Sequence, residues 1–403
     1  MIDPSHVRLA GPLVPHRDGL WAALLAQGYA PRSSVNLLRL MAHLSRWLEA
    51  QAIEPKELDS ERIEEFLEHR RAAGYTERLS PRGLKPILRY LRCSGAIPTP
   101  LPIPADLPAV EVLLGEYENY LTQERALAPV TLPAYLHIAR QFLSVKRGKK
   151  RLVLHRLRAL DITSFILRES SSGSVNYAKK RVTVLRSLLR YLHVRGDLAA
   201  DLTTAVPAVA GRRLVGLPKG LLPEEVRRLL QCCDRRSSVG RRNFAVLLLM
   251  VRLGVRASEV ANLRLEDLHW RRGELVIRGK RRREDRLPLP ADVGDALVSY
   301  LKRGRPRTAA RQLFLRVRAP HGEVNPSAVK AIVREAGRRI GLVPLGAHRL
   351  RHSAATQMLQ NGASLSQIAQ VLRHQRLDTT AIYAKVDRKR LRDLGRPWPG
   401  EER

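Results

Sequence analysis

Proline placement decides how this chain can be divided. Pro98-Thr-Pro-Leu-Pro-Ile-Pro104 has a proline at every second position. Each ring fixes φ and removes a backbone donor, so no helix runs through the stretch and extended chain is favoured. A second linker, Ala205–Gly220, holds Pro207 and Pro218 among basic residues. With 403 residues there is room for two or three domains. The breaks give an N-terminal helical module (1–105), a second helical module (106–210) and a C-terminal domain (211–403).

Residues 1–20 read as an irregular lead-in, and a helical pattern follows from 21 to 98. Val35, Leu38, Met41, Leu44 and Leu48 recur at three- and four-residue spacing, which predicts a helix over Ser33–Leu48. Ile63–His69 and Gly83–Leu91 predict two more. The order of markers then repeats. Ala30-Pro31, Ile63-Glu-Glu-Phe66 and Leu88-Arg-Tyr-Leu91 are matched by Ala128-Pro129, Ile162-Thr-Ser-Phe165 and Leu189-Arg-Tyr-Leu192. Proline and phenylalanine are 35 residues apart in the first set and 36 in the second. This agreement reads 21–98 and 112–207 as two copies of one small helical module.

Charge limits the partners. Lys plus Arg number 72 against 38 Asp plus Glu, a formal net charge of +34. An excess of this size along the whole chain points to a polyanion, and to nucleic acid first. A basic membrane-surface protein would want an amphipathic anchor or a lipidation signal, and neither is seen. The longest apolar run, Phe244–Val251, ends at Arg252 and reads as a buried core helix. Signal-peptide features are not found at the start, and Cys93, Cys232 and Cys233 make neither a disulfide framework nor a paired metal motif. The expected setting is the reducing cytoplasm, at the nucleoid. In the second module, Lys146, Arg147, Lys149, Lys150 and Arg151 form one basic cluster, and Lys179, Lys180, Arg181 and Arg186 another. Both suit tracking of phosphates. The first module mixes arginines with Glu61, Glu64, Glu65 and Glu68, so a dense phosphate footprint is not expected of it; it is expected either to touch DNA flanking the core site or to bind a neighbouring protomer, with the protein contact slightly favoured.

In the C-terminal part, Leu222-Pro-Glu-Glu opens a helix with proline and acids in its first turn. Glu274–Arg278 and Arg286–Leu289 are strand-like and joined by the basic turn Gly279–Asp285; the remainder to about Leu394 reads as helical. Arg256 and Glu259 follow the core helix, and Lys280 sits in the basic turn beside Arg281, Arg282 and Arg283. His348 and Arg351 are three apart and share a helix face. Ser364 with Gln367 is a capping box for the next helix, which ends near His374; Asp378 can cap a last helix carrying Tyr383. His352 reads as structural and the Cys232–Cys233 pair as core.

The ordered set Arg256, Lys280, His348-x-x-Arg351, His374 and Tyr383 resembles the tyrosine recombinase (lambda-integrase-like, phage integrase) family over about 215–390. The second module resembles that family's core-binding domain. The resemblance implies a mainly α chain with a small antiparallel β-hairpin or sheet in the catalytic domain, preceded by helical DNA-binding modules. It implies a site-specific DNA recombinase or integrase whose Tyr383 forms a 3′-phosphotyrosyl link; the alternatives are a single-site DNA-relaxing enzyme with the same chemistry and a non-catalytic DNA-binding accessory protein, against which the complete residue set argues. It also implies double-stranded DNA with specific sites as partner, a synaptic homotetramer, and partner recombinases of the same mobile element. One departure stands out: the family's Leu-Gly-His is here Leu372-Arg373-His374.

The chemistry agrees with the residue types. Attack on a phosphodiester builds negative charge, and no compact acidic cluster is present in the sequence to bind a metal. Arg256 and Arg351 can neutralise it with paired donors, so neither metal nor cofactor is expected. His348 and His374 add imidazole donors, and one of them can accept the Tyr383 proton. Lys280 is the family's candidate acid for the leaving 5′ oxygen; arginine does not give up its proton, so its three neighbours cannot act in its place. Glu259 braces a site cation.

Overall fold

The computed structural model describes residues 7–98, 109–129, 131–145, 154–155, 157–170, 175–209, 220–279, 284–373, 380 and 383. Most of both expected linkers, 99–108 and 210–219, lies outside these residues. The chain separates into two units: Met1–Thr99 with Gly216–Arg403, and Pro100–Val215.

The N-terminal module has four helices: α1 (Arg17–Ala26), α2 (Pro31–Ala50), α3 (Ser60–Ala72) and α4 (Pro81–Cys93). Pro31 and Pro81 stand in the first turn of their helices, where the missing N–H costs nothing. Asp59 caps α3 by accepting from Arg62 N–H at 2.9 Å. Leu38, Met41, Leu44 and Leu48 of α2 pack with Phe66, Leu67, Ile87 and Leu91 in one core. The second module repeats the plan with α5 (Ala109–Gln123), α6 (Leu132–Val145), α7 (Ala159–Ser170) and α8 (Val175–Val194). Its core gathers Tyr117, Phe142, Phe165, Leu185 and Leu189. In each module an aromatic on the second helix meets the marker phenylalanine of the third: Trp47 against Phe66 at 5.7 Å, and Phe142 against Phe165 at 5.2 Å.

The C-terminal domain is built on α10 (Ser238–Leu253), preceded by α9 (Pro223–Gln231) and followed by α11 (Ala257–Asn262). Strands β1 (Leu268–His269), β2 (Glu274–Arg278) and β3 (Glu284–Pro288) form an antiparallel sheet in that order, with Leu275 opposite Leu287 and Arg278 opposite Glu284. β1 is two residues long, too short for an alternating pattern to reveal it. The expected turn is also shortened, because Glu284 and Asp285 pair with Arg278 and Ile277 and so belong to β3. Helices α12 (Ala291–Arg303), α13 (Pro326–Arg339), α14 (Ala347–Gln360) and α15 (Leu365–Leu372) complete the described part.

The stretch 304–325 is not helical, contrary to the sequence expectation. Leu313 N–H donates to Leu263 O at 2.8 Å and Leu265 N–H to Arg311 O at 2.9 Å, so its backbone bonds to the α11 exit instead. Leu313, Phe314 and Leu315 are thereby buried. Burial of an irregular segment requires such partners for its amides. Within the same unit this segment reaches the N-terminal module, where His321 N–H donates to Gln27 O at 2.9 Å. Gly28 beside it has φ +84°, and a Cβ there would come within 2.1 Å of the His321 ring.

Candidate active site

The C-cap of α10 begins the site. Gly254 adopts the left-handed conformation at φ +59°, and a Cβ there would come within 2.5 Å of Leu372. This tight turn delivers Arg256 to the start of α11. Glu259, one turn on, accepts from the Arg256 backbone N–H at 2.7 Å and from its Nη1 at 2.6 Å. The carboxylate takes a third donor, Arg373 Nη2, at 2.6 Å. Burial pushes the Glu259 carboxyl up, but Arg373 and Arg256 outweigh that and hold it below the usual carboxylate range. Arg373 ends α15 with φ +55°, a conformation glycine adopts freely and arginine does not. The glycine-to-arginine departure therefore keeps the turn and adds a buried cation bound to Glu259.

Arg351 projects from α14 and is only 5% exposed. Its Nη1 donates to Gly254 O at 2.5 Å and its Nη2 to Leu372 O. Neutral carbonyls orient the guanidinium without cancelling its charge, and two of five N–H donors are used. Burial, then Arg256 and Arg373, lower its pKa to about 10, so it stays charged at neutral pH. The Arg351–Arg256–Arg373 group carries three positive charges against the one of Glu259. It is a ready place for an anion.

Tyr383 N–H bonds to Thr380 O at 2.9 Å, and its ring is buried against Ala355, Leu359, Ile368 and Leu372. The hydroxyl lies 2.8 Å from His352 Nδ1. Burial, then His348 and Arg351, lower the His352 pKa, so the ring is neutral at pH 7; in the tautomer protonated at Nε2, its Nδ1 accepts from the phenol. Burial raises the Tyr383 pKa to about 12, against a lowering pull from Arg351. His348 is exposed at the start of α14, and its pKa is lowered by desolvation and by Arg351, Arg256 and Lys330.

A model of the phage integrase family matches residues 219–390. Over 94% of this chain and 92% of its own length, a Sinorhizobium fredii protein described as an integrase/recombinase, y4rA, is 40% identical. Tyrosine recombinase XerD of Listeria monocytogenes is 30% identical over 70% of this chain and 96% of its own length. This chain belongs to the tyrosine recombinase family. The fold agrees: XerH recombinase bound to a palindromic difH substrate superposes with a TM-score of 0.55 at 20% identity, covering 82% of this chain and 93% of that one. A lambda integrase (75–356) dimer on a core site gives 0.54 at 17% identity, covering 72% and 98%.

Of the recombinase residues read from sequence, Arg256, Glu259 and Arg351 meet in one network, with His348 beside it and Tyr383 facing His352. Lys280, Arg281, Arg282, Arg283 and His374 lie outside the described residues, as do Lys146, Arg147, Lys149, Lys150, Arg151 and Asp378. On α8, Lys180 and Arg186 are exposed and Lys179 is half-buried. Arg181 turns inward, 5% exposed, with its guanidinium 4.4 Å from the Tyr177 ring centre, so it is no part of an open phosphate-tracking face. Sequence reading assigned His352 to structure alone. The available signal was its spacing, four residues after His348 and so on the same helix face.

Proposed function

We propose that this chain is a site-specific DNA recombinase that cleaves and rejoins DNA through Tyr383. The Tyr383 hydroxyl oxygen attacks a backbone phosphorus, the O5′ bond breaks, and the 3′ phosphate is left esterified to the phenol. The phenolic proton passes to a neighbouring base, for which His352 is the group in contact at 2.8 Å. Arg256 and Arg351 hold the non-bridging oxygens as charge builds, and His348 adds a donor. Lys280 protonates the leaving O5′, and His374 completes the set. The phosphotyrosyl link keeps the bond energy, so a second 5′ hydroxyl reverses the step without ATP, and the arginines make a metal unnecessary. The observation that carries this reading is the buried Tyr383, its hydroxyl 2.8 Å from His352 Nδ1 and beside the cationic Arg351 network.

Exchange between two specific duplex sites calls for four protomers, so the working form is a synaptic homotetramer. The 40% identity to an integrase/recombinase supports strand transfer in integration; service to a mobile element, in integration or transposition and with partner recombinases of that element, is part of the same proposal. The exposed Lys180 and Arg186, with the basic cluster at 146–151, hold the duplex.

Tyr383→Phe removes one hydroxyl and tests the reading. On a nicked suicide substrate carrying the native site, wild-type protein forms a covalent adduct that survives denaturing electrophoresis. The variant binds the same DNA and forms none. Adduct in the variant would refute the assignment.

A further inference from the structure

The N-terminal module contains a cationic cleft that the strand-transfer site does not use. It lies between α2 and the turn after α3, encloses about 390 Å³, and is lined by Arg39, His43, Arg70, Tyr75 and Arg78 among others. Arg70 is the unusual member. It is 6% exposed, and its guanidinium sits 4.2 Å from the Tyr75 ring centre and 5.9 Å from that of Phe66. Its Nη2 reaches Glu77 O at 3.4 Å, a weak contact, while buried Nε and Nη1 have no hydrogen-bond partner. Among the described residues no carboxylate forms an ion pair with Arg39, Arg70 or Arg78; Glu77, the one acid in the lining, meets Arg70 through its carbonyl. A buried cation without a counter-charge is costly, and the expected remedy is an anion.

The surroundings fit an oxyanion. Arg78 is held at the rim by Nη1 donating to Asn36 O at 3.0 Å, and Arg39 Nη1 is 3.4 Å from Asn36 Oδ1. His43 packs edge-on against Tyr75, with Nδ1 3.4 Å from the phenol oxygen. Burial, then Arg46 and Arg70, lower the His43 pKa, so at pH 7 the ring in the cleft's lining is neutral and adds no counter-charge. Guanidinium groups converging on one cavity match phosphate, whose oxygens accept from several donors at once.

We propose that this cleft binds a backbone phosphate of the DNA flanking the exchanged core, making the N-terminal module a second grip on the duplex. The proposal rests on the reading of the chain as a DNA-acting recombinase. Of the four glutamates on α3 that favoured a protein contact, Glu64 and Glu65 are engaged by Arg71 and Arg62 of the same helix.

The test uses the full chain with Arg39→Ala and Arg78→Gly combined. Both residues sit at the rim rather than in the core, and Arg78 has φ +55°, which glycine relieves. Affinity is measured for a core-only duplex, a core duplex with long flanks and a flank-only duplex, over a range of salt. The expected result is about a tenfold loss on the flanked and flank-only duplexes, with a salt slope shallower by one to two. Core-only binding and covalent adduct formation stay at the wild-type level. Unchanged flank affinity and slope in a variant that still cleaves the core would overturn the proposal; lost synapsis with unchanged affinity would do the same, and assign the cleft to a protein partner. Reduced flank affinity in a chain that never forms adduct would leave this site standing and refute the recombinase reading instead.

Discussion

Replacing His352 with alanine removes the one group, among the described residues, in hydrogen-bond contact with the Tyr383 hydroxyl. With the Tyr383 pKa at about 12, roughly one phenol in 10⁵ is ionised at pH 7. Full ionisation before attack therefore lies about 7 kcal/mol uphill, at 1.36 kcal/mol per tenfold step. A base that takes the proton during attack avoids most of that climb, and positioned bases typically contribute about 10²- to 10⁴-fold. His352 is suited to this, since burial and then His348 and Arg351 hold its pKa below the usual 6.5 and keep Nδ1 free to accept. His352→Ala is expected to slow single-turnover cleavage of a suicide substrate by that factor while DNA affinity stays within about twofold. The pH profile gives a second readout. A base with a lowered pKa is active above that value and lost as pH falls through it, so the wild-type rate declines on the acid side below pH 6.5. The alanine variant lacks this limb, and added imidazole restores part of its rate. If the variant cleaves as fast as wild type, or faster, His352 is a latch on the nucleophile and the proton passes elsewhere.

Two further outcomes follow from the same network. Arg373→Gly relieves about 1–2 kcal/mol of left-handed backbone strain but breaks a buried pair of the kind that costs about 3–5 kcal/mol to break. Thermal melting at pH 7 should therefore fall, and the gap to wild type should narrow in acid, because Glu259 has a depressed pKa and its contribution is lost as pH drops through it; an unchanged or raised melting temperature would show that the pair stabilises nothing. Lys280→Ala should slow cleavage of an ordinary phosphodiester at least a hundredfold, and a 5′-bridging phosphorothiolate, whose leaving group needs no proton, should restore it; equal defects on both substrates would make Lys280 a phosphate clamp.

Local rules made several helices and the capping box of α15 readable from the chain alone. Ser364 and Gln367 act within one turn of where they stand, and the apolar period of α2 needs no distant partner to be seen. The resemblance of the ordered motifs to the family singled out Arg256, His348, Arg351 and Tyr383, and spacing alone put His348 and Arg351 on one helix face. What spacing cannot convey is which face meets which. The irregular path of 304–325 depends on backbone hydrogen bonds with Leu263 and Leu265, dozens of residues away. The contacts of Tyr383 with His352, 31 residues off, and of Arg373 with Glu259, 114 residues off, arise only when α14, α15 and α11 converge. The same holds for Arg70, one basic residue among many in the sequence. It becomes a buried, uncompensated cation only because the turn after α3 folds Tyr75 across it, and its surroundings rather than its identity set its role.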